Sequence, residues 1–393
     1  SSPNQETESL RSYLLNCSDQ DTVSACRAIE TFLLHQPPEA TLGFFRLCFP
    51  VLIQRIFGFR DSPSSESTAW IVRASGDHDA IMAIQSLLHP TAPLFSSLLA
   101  IDRENLVRFL FPNERLPLRT RRCLLVNDGH RILSDTSLLF KNYISNNGVL
   151  YNQNVSASFQ LQLNLFEYFM FWFAYYGESS SSPIREGLVS QSDICPRPRS
   201  SPKRLFGQWV SHPFHHQHGG DVNGPKCNLY LHLLQLYLLH FVQPHHLAGS
   251  IYTQDSSELS QGGFLLLTLI EFWLMKDDLW PLNASQVGSI TFDYTPPGSK
   301  LCEALRLLVN HCNSLLKASL EQYHHSLSYE VTMPSRHWMV ATTTPLLLPR
   351  KIGIEGDSTT LEMRLLQKPL YRFISCAFTK WPSGIPIKQA RYL

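Results

Sequence analysis

Apolar residues recur every three or four positions through most of the chain, which is the spacing of amphipathic α-helices. After Gly76, the residues Ile81, Ile84 and Leu88 fall on one helical face, and Asp77 in front of them predicts an N-cap. The same periodicity predicts further helical segments at Glu8–Leu15, Thr22–Leu34, Leu42–Phe59, Leu163–Tyr176, Cys227–Val242, Gly262–Lys276, Lys300–Leu320 and Leu361–Phe378. Helices therefore dominate the predicted fold.

Proline, glycine and alternating patterns interrupt these helices at a few places. Pro37 and Pro38 separate two helical segments, because the residue before a proline is disfavoured in a helix. Gly177 is predicted to end the helix that precedes it. Alternation by twos in Val155–Gln162 and the Val- and Thr-rich composition of Tyr329–Leu348 predict short strands. Since no fixed repeat period is visible, the predicted fold is mainly α, an irregular stack of α-helices with a few short strands.

Residues 178–226 differ in composition from the rest of the chain. The segment is rich in Ser, Pro, Gly and His, and it is too polar to form a packed core. We interpret it as a long disordered linker. The predicted organisation is an N-terminal helical region at 1–177, the linker at 178–226, and a second helical region at 227–393 that we expect to be truncated at its C-terminal end.

Charge and cysteine content exclude several classes of protein. The chain has 33 Lys and Arg against 32 Asp and Glu, and this balance argues against a dedicated nucleic-acid binder. Hydrophobic residues make up 44% of the 393 residues, which is enough for a large buried core. Nine cysteines without a C-x-x-C pair indicate neither a disulfide framework nor a zinc ribbon, so we expect reduced thiols that pack in the core.

No segment has the length and composition of a signal peptide or a transmembrane helix. A membrane span needs about 20 apolar residues, and the best candidate, Leu161–Tyr176, is shorter and contains Gln162, Asn164 and Glu167. We expect this segment to be a core helix. Attachment to a membrane would then come from a partner, from an amphipathic face, or from sequence beyond Leu393, and we expect the chain to be a fragment.

A histidine-rich run and an Asp-His pair are the candidates for metal chemistry. His215, His216 and His218 are candidate metal ligands, because neutral imidazole commonly binds zinc and copper. Their position inside the polar linker favours a flexible loop instead. Asp77-His78 is similar to the pair with which magnesium-dependent phosphodiesterases orient and protonate the phosphate. The companion Asn and Glu elements are missing upstream, so helix capping by Asp77 is the favoured interpretation.

Two lone acids and an arginine-rich stretch complete the candidate residues. Glu167 and Glu271 each lie in an aromatic helix, where a buried carboxyl with a raised pKa could be a general acid. The favoured alternative is a carboxylate bonded to a backbone donor or a neighbouring side chain. The stretch Arg115–Arg122 has four arginines, and we interpret it as a solvated connector, with an anion or lipid-headgroup contact as the alternative.

Four apolar and aromatic segments occur in a characteristic order. They are Val51–Gly58, Leu163–Ala174 with its Asn-x-Phe-Glu-Tyr sequence, Leu265–Leu274, and Gln367–Phe373 running on to Cys376, Phe378, Trp381 and Pro382. In this order and spacing the chain resembles the sphingomyelin phosphodiesterase 4 family, also called neutral sphingomyelinase 3. Members of that family continue for several hundred residues more and end in a hydrophobic membrane anchor.

The resemblance implies a largely helical protein of the endoplasmic reticulum and nuclear envelope, on their cytoplasmic face, that hydrolyses the phosphodiester of sphingomyelin. The implied partners are a sphingomyelin-containing phospholipid membrane and nuclear pore proteins, with no nucleic acid. Mg²⁺ is the candidate cofactor, although no residue set in the sequence shows it. The alternative function is a non-catalytic helical scaffold that docks on nuclear-pore or membrane proteins. The enzyme predicts a pocket with acids or histidines beside an apolar groove, and the scaffold predicts exposed aromatic patches.

Overall fold

A computed structural model describes residues 3–18, 21–59, 69–125, 129–146, 160–179, 228–243, 259–276, 294, 296–331 and 361–380. These residues fold mainly into α-helices with one two-stranded sheet, which confirms the predicted mainly α class. Residues 180–226 of the predicted linker and residues 332–348 of the predicted strand region lie outside the described residues.

The described elements follow one another along the chain in this order. The first half contains α1 (Pro3–Asn16), α2 (Thr22–His35), α3 (Pro38–Leu47), α4 (Phe49–Phe57), α5 (Trp70–Arg73), α6 (His78–Leu87), α7 (Pro93–Glu104), β1 (Phe109–Phe111), α8 (Leu118–Leu125), α9 (Gly129–Thr136) and α10 (Leu138–Asn146). Single 3₁₀ turns are at Ala74–Gly76 and Asn113–Arg115. The chain continues with β2 (Leu161–Leu163), α11 (Leu165–Ser179), α12 (Leu229–Phe241), α13 (Gln261–Leu269), a π-helical turn (Ile270–Leu274), α14 (Ser299–Val331) and α15 (Leu361–Lys380).

Capping residues and prolines mark where several helices begin. The Asp77 carboxylate caps α6 as predicted, because it accepts hydrogen bonds from the N–H groups of Asp79 at 3.0 Å and Ala80 at 3.3 Å. The predicted segment Leu42–Phe59 divides into α3 and α4, whose axes differ by 49°. Pro50 in the first turn of α4 explains the break, since proline has no N–H to continue the helical ladder.

Helix α11 is the central element of the fold. Nearly all of its residues are buried, and it contacts α4, α7, α13, α14 and both strands. Two buried rings bind its carbonyl groups: the Tyr230 hydroxyl donates to Phe173 O at 3.0 Å, and the Trp273 indole N–H donates to Ala174 O at 3.0 Å. These bonds satisfy the polar ends of large aromatic side chains inside the core.

Gly177 lies within α11 and does not end it, so the sequence prediction was wrong at this position. The helix continues to Ser179. A Cβ atom at residue 177 would overlap the Tyr230 hydroxyl and lie 3.1 Å from Trp273 Cζ2. Glycine is therefore explained by the close approach of α12 and the π-helical turn to α11, and not by a left-handed helix end.

The two strands form a short antiparallel ribbon beside α11. Phe109 pairs with Leu163, Leu110 with Gln162, and Phe111 with Leu161. In β2, Leu161 and Leu163 are buried while Gln162 is exposed, as expected for a strand with one face on the core. The predicted strand Val155–Gln162 shares two residues with β2, and residues 147–159 lie outside the described part of the chain.

Buried residues from both sides of segment 180–227 belong to one hydrophobic core. Phe173 of α11 stacks on Tyr230 of α12 with ring centroids 4.5 Å apart. The predicted boundaries at 1–177, 178–226 and 227–393 stay a prediction.

Among the described residues, no single helix is long and apolar enough to cross a membrane. Helices α3 and α4 together reach the length and apolar composition of a broken span. Most of their large apolar side chains, including Phe44, Phe45 and Phe49, are buried in the core, and Leu47 is exposed.

The described cysteines are free thiols that pack as predicted. Six are buried, namely Cys17, Cys26, Cys48, Cys123, Cys302 and Cys312. Burial raises the pKa of Cys26 and of Cys48 to about 12, so both thiols are protonated at neutral pH.

Candidate functional site

Three consecutive backbone N–H groups at the start of α11 are bound by two carboxylates. Asn164 and Glu167 form a reciprocal capping box, in which Glu167 N–H donates to Asn164 Oδ1 at 2.8 Å and Asn164 N–H donates to Glu167 Oε2 at 2.9 Å. The N–H groups of Leu165 and Phe166 both donate to the Asp102 carboxylate at 2.9 Å. Asp102 lies on α7, so this contact joins α7 to the start of α11.

Burial raises the pKa of both carboxyl groups. It raises the pKa of Asp102 to about 6, while the N–H bonds from Phe166 and Leu165 and the Arg108 charge act in the opposite direction. Burial also raises the pKa of Glu167, against the lowering effects of the Tyr143 hydroxyl and the Asn164 N–H. The favoured sequence interpretation of Glu167, a carboxylate bonded to a backbone donor, is confirmed.

A cleft of about 630 Å³ opens beside these carboxylates. Its polar lining includes Asp102, Arg103, Asn164, Glu167, His240 and Ser260. Its apolar lining includes Leu99, Phe166, Phe241, Leu259 and Phe264. The rings of Phe166 and Phe241 meet edge to face with centroids 5.1 Å apart, which makes one wall of the cleft aromatic.

A second helix also begins at this cleft. Ser260 caps α13 by accepting a hydrogen bond from Gly263 N–H at 3.1 Å. A Cβ at Gly262 would collide with the carbonyl oxygen of Phe241, so glycine allows the end of α12 and the start of α13 to meet. The positive ends of two helix dipoles, those of α11 and α13, therefore face the same space.

His240 brings an imidazole to the edge of the cleft from the last turn of α12. Burial lowers the pKa of His240, and the nearby His89 lowers it further. The imidazole is therefore neutral at neutral pH and can accept a proton. A carboxyl with a pKa of about 6 and a neutral histidine in one cleft can give and take protons near neutral pH.

The Asp77-His78 pair lies outside this cleft. Both residues are exposed at the start of α6, where Asp77 is the N-cap and His78 is the first helical residue. Their proposed role in phosphodiester chemistry stays a prediction. The candidate ligands His215, His216 and His218 lie outside the described residues.

Glu271 forms a buried ion pair instead of lining the cleft. Its Oε2 lies 3.5 Å from Arg119 Nη1, and the side chains are only 4% and 1% exposed. Arg119 Nη2 also donates to Thr136 Oγ1 at 2.6 Å. The favoured interpretation of Glu271, a carboxylate held by a neighbouring side chain, is confirmed.

The predicted solvated connector Arg115–Arg122 is partly helical, and that prediction was wrong. Arg119, Thr120 and Cys123 of α8 are buried. The Arg119 side chain can be buried because Glu271 neutralises its charge. The backbone N–H of Arg119 donates to Lys276 O at 3.1 Å, so the backbone is also satisfied.

Within the described ranges, no group of three or more His, Cys, Asp or Glu side chains is arranged to hold a metal ion. Asp102 and Glu167 have the oxygen ligands that Mg²⁺ prefers, but both Asp102 oxygens and Glu167 Oε2 already accept backbone N–H bonds. These cleft residues alone do not fit a Mg²⁺ site, and Mg²⁺ dependence stays a prediction.

Sequence reasoning missed Asp102 and did not recognise His240 as a site residue. Asp102 stands in a charged run at the end of a helix and meets Leu165 across 63 residues of chain, so no local pattern identifies it. His240 does leave a local signal, because it interrupts the apolar run of α12.

Comparison with protein-family models, with curated proteins and with solved structures finds no match for this chain. The resemblance to the sphingomyelin phosphodiesterase 4 family therefore stays a prediction.

Proposed function

We propose that this chain is a hydrolase that cleaves the phosphodiester of sphingomyelin, with the cleft at the start of α11 as its active site. The observation that carries the proposal is that two carboxyl groups and a histidine line one cleft beside an aromatic wall. The resemblance noted in the sequence supports the lipid class and, as part of the proposal, a location at membranes of the endoplasmic reticulum and nuclear envelope.

The size and lining of the cleft suit one end of an amphiphilic lipid. Ligand pockets commonly measure about 300 to 1,000 Å³, and a cleft of about 630 Å³ holds a zwitterionic headgroup with the first carbons of the ceramide. The aromatic wall of Phe166, Phe241 and Phe264 would face the ceramide carbons. Arg103 and the positive end of α13 would face the phosphoryl oxygens.

The proposed reaction uses groups of this chain for both proton transfers. Water attacks phosphorus and gives a proton to the neutral imidazole of His240. The bond between phosphorus and the ceramide oxygen breaks, and protonated Asp102 gives its proton to that oxygen. With a pKa of about 6, about one Asp102 in ten is protonated at pH 7. The products are ceramide and phosphocholine, and His240 returns its proton to Asp102 through solvent.

Product analysis with cleft variants tests this function. Purified protein is incubated with detergent-dispersed sphingomyelin at neutral pH, with added Mg²⁺ or with a chelator, and all products are measured by mass spectrometry. We expect ceramide and phosphocholine from the wild type. Asp102→Asn and His240→Gln should each lower kcat by about 100-fold or more, because each removes a proton-transfer group.

The matched control is Glu39→Gln, which neutralises an exposed acid in the first turn of α3, outside the cleft. It should retain wild-type activity. Circular dichroism confirms that each variant is folded, and His240→Gln tests the cleft without altering a helix cap. Release of choline and ceramide phosphate would show that the enzyme cleaves the phosphodiester on the choline side instead of the ceramide side. No product from folded wild-type protein, or equal loss in the control, would overturn the proposal.

The second proposed function is a non-catalytic helical scaffold that docks on nuclear-pore or membrane proteins. The observation in its favour is the exposure of two aromatic side chains on α15, Tyr371 and Phe378. The capping roles of Asp102 and Glu167 also give these acids a structural purpose. A folded protein that releases no product from sphingomyelin would favour the scaffold.

A further inference from the structure

The aromatic wall of the cleft at the start of α11 exposes little of its surface. It is built from Phe166, Phe241 and Phe264, which are only 3%, 6% and 2% exposed. Behind the wall, Phe264 stacks on Phe171 with ring centroids 5.8 Å apart, and Phe241 meets Phe95 at 6.0 Å. Because core side chains are close-packed, a hydrocarbon chain cannot pass between these rings without disrupting the core. The wall therefore offers apolar contact to only a few carbon atoms of a ligand.

The volume of the cleft is too small for a whole membrane lipid. A water molecule occupies about 30 Å³ in the liquid, and a methylene group is of similar size, so a cleft of about 630 Å³ holds about twenty such groups. This is enough for a headgroup and the first carbons of the lipid backbone. It is not enough for two long hydrocarbon tails as well, so the tails of a bound lipid would remain outside.

Side chains of both charge signs line the cleft. Arg103 is a cation, and Asp102 and Glu167 are acids. Asp102 is mostly ionised at neutral pH, since its pKa is about 6. A zwitterionic headgroup can satisfy both signs, because its phosphate can face Arg103 and its ammonium group can face a carboxylate. A headgroup with a single charge would place like charges together at one side of the cleft.

We infer that the cleft binds a choline phosphodiester by its headgroup and its first few carbons, and leaves the rest of the hydrocarbon outside. The ligand class is then choline phosphodiesters with one tail or two, and with tails of any length. The inference rests on the proposed function for the choline headgroup. It extends that function from sphingomyelin to single-tailed lipids, because a tail that makes no contact with the cleft cannot be selected there.

Ligand-observed NMR titration with alkyl phosphocholines tests this inference without a membrane. Alkyl groups of two to eight carbons keep the ligand monomeric in water, and His240→Gln is used so that binding is measured without turnover. Each methylene that becomes buried should lower the dissociation constant by about fourfold. We expect this gain for the first few carbons only, followed by a constant value. Hexyl phosphate and hexyltrimethylammonium each lack one of the two charges and should bind about tenfold more weakly than hexyl phosphocholine.

A variant that fills the cleft locates the binding site. Leu99→Trp places a larger side chain in the lining and should weaken binding of every alkyl phosphocholine by about tenfold. The matched control is Leu34→Trp, at a 64% exposed position on α2, which should bind like the unmodified protein. Circular dichroism confirms that both variants are folded. If Leu99→Trp does not fold, the series of alkyl lengths decides alone.

Failure of the inference and failure of the proposed hydrolase give different results. No binding, a dissociation constant that keeps falling through eight carbons, or equal loss in both tryptophan variants would overturn the inference. A constant value after the first few carbons, without phosphocholine release by the wild type, would keep the inference and reject the hydrolase. Release from sphingomyelin but not from sphingosylphosphocholine, which has no acyl tail, would do the reverse.

Discussion

At the scale of single residues, three acids of this protein are held by backbone N–H groups at helix starts. Asp77 caps α6, and Asp102 and Glu167 together bind the first N–H groups of α11. The amino-terminal end of a helix carries partial positive charge, so a carboxylate is stabilised there. Asp102 and Glu167 differ from Asp77 because they also line a cleft, where burial raises the pKa of each carboxyl.

Asp102 makes the free energy of unfolding depend on pH. Its pKa is raised from an ordinary value of 3.8 to about 6, so between these values the folded protein binds more protons than the unfolded chain. Its contribution to stability is therefore full below about pH 4 and is lost as the pH rises through 6. Relative to Asp102→Asn, the wild type should lose about 2 to 3 kcal/mol of unfolding free energy across this window.

Urea denaturation of wild type and Asp102→Asn at several pH values from 4 to 7 measures this difference. The charge of Asp102 also raises the pKa of Glu167, so the comparison measures Asp102 together with its effect on Glu167. The unfolding free energy of the wild type minus that of Asp102→Asn should fall as the pH rises. If this difference is constant or increases with pH, the raised pKa of Asp102 is contradicted.

At the scale of elements, the π-helical turn joins the arginine-rich helix α8 to the core. Met275 N–H donates to Ile270 O at 3.0 Å, five residues back, so the helix is wider here than an α-helix. Glu271 lies in this turn and pairs with Arg119 of α8. Two charges are thus buried together in a core that is mostly apolar and aromatic.

Removing one partner of this ion pair should strongly destabilise the protein. Glu271→Ala leaves Arg119 charged and buried, and we expect a loss of about 3 to 5 kcal/mol in unfolding free energy, measured by urea denaturation. The double variant Arg119→Met with Glu271→Leu should lose much less, because no unpaired charge remains. The control is Glu321→Ala on α14, whose pair with Lys317 is solvent-exposed at 3.9 Å. It should change stability by at most about 1 kcal/mol, and an equal loss there would contradict the argument.

At the scale of the whole molecule, the helices on both sides of segment 180–227 share one core. Tyr230 illustrates this, since its ring stacks on Phe173 and its hydroxyl donates to the Phe173 carbonyl. The cleft depends on the same arrangement. Asp102 and Glu167 come from the first side, and His240 and Ser260 come from the second. The proposed catalytic groups are therefore assembled only when both sides pack together.

A single substitution on one side should loosen helices on the other. Tyr230→Ala removes a buried ring from the shared core, and we expect a loss of about 3 kcal/mol. Hydrogen exchange followed by mass spectrometry should show faster exchange in α4 and α11 as well as in α12. The control is Leu239→Ala, an exposed residue of the same helix that should leave exchange unchanged. Faster exchange confined to residues after 227 would show two separate cores.

Much of the helical architecture could be predicted from sequence, because helical periodicity and capping act over a few residues. The helix predicted at Thr22–Leu34 is α2 within one residue, and Asp77 caps α6 as expected. Errors arose where a residue has a role beyond its local pattern. Gly177 is a usual helix terminator, but here a close approach by Tyr230 explains it. Arg119 looks solvated until its partner is known.

The sequence by itself determined the mainly α class, most helix positions and the burial of the aromatic helices, since these follow from local spacing of apolar residues. Only the tertiary structure decided the cleft and the buried ion pair. Asp102 meets Leu165 across 63 residues, and Trp273 meets Ala174 across 99. Contacts over such separations depend on how whole helices pack, and the residues that make them carry no shared local pattern. The candidate site is therefore a product of packing, although α11, α12 and α13 were predicted from the sequence and only α7, which carries Asp102, was not.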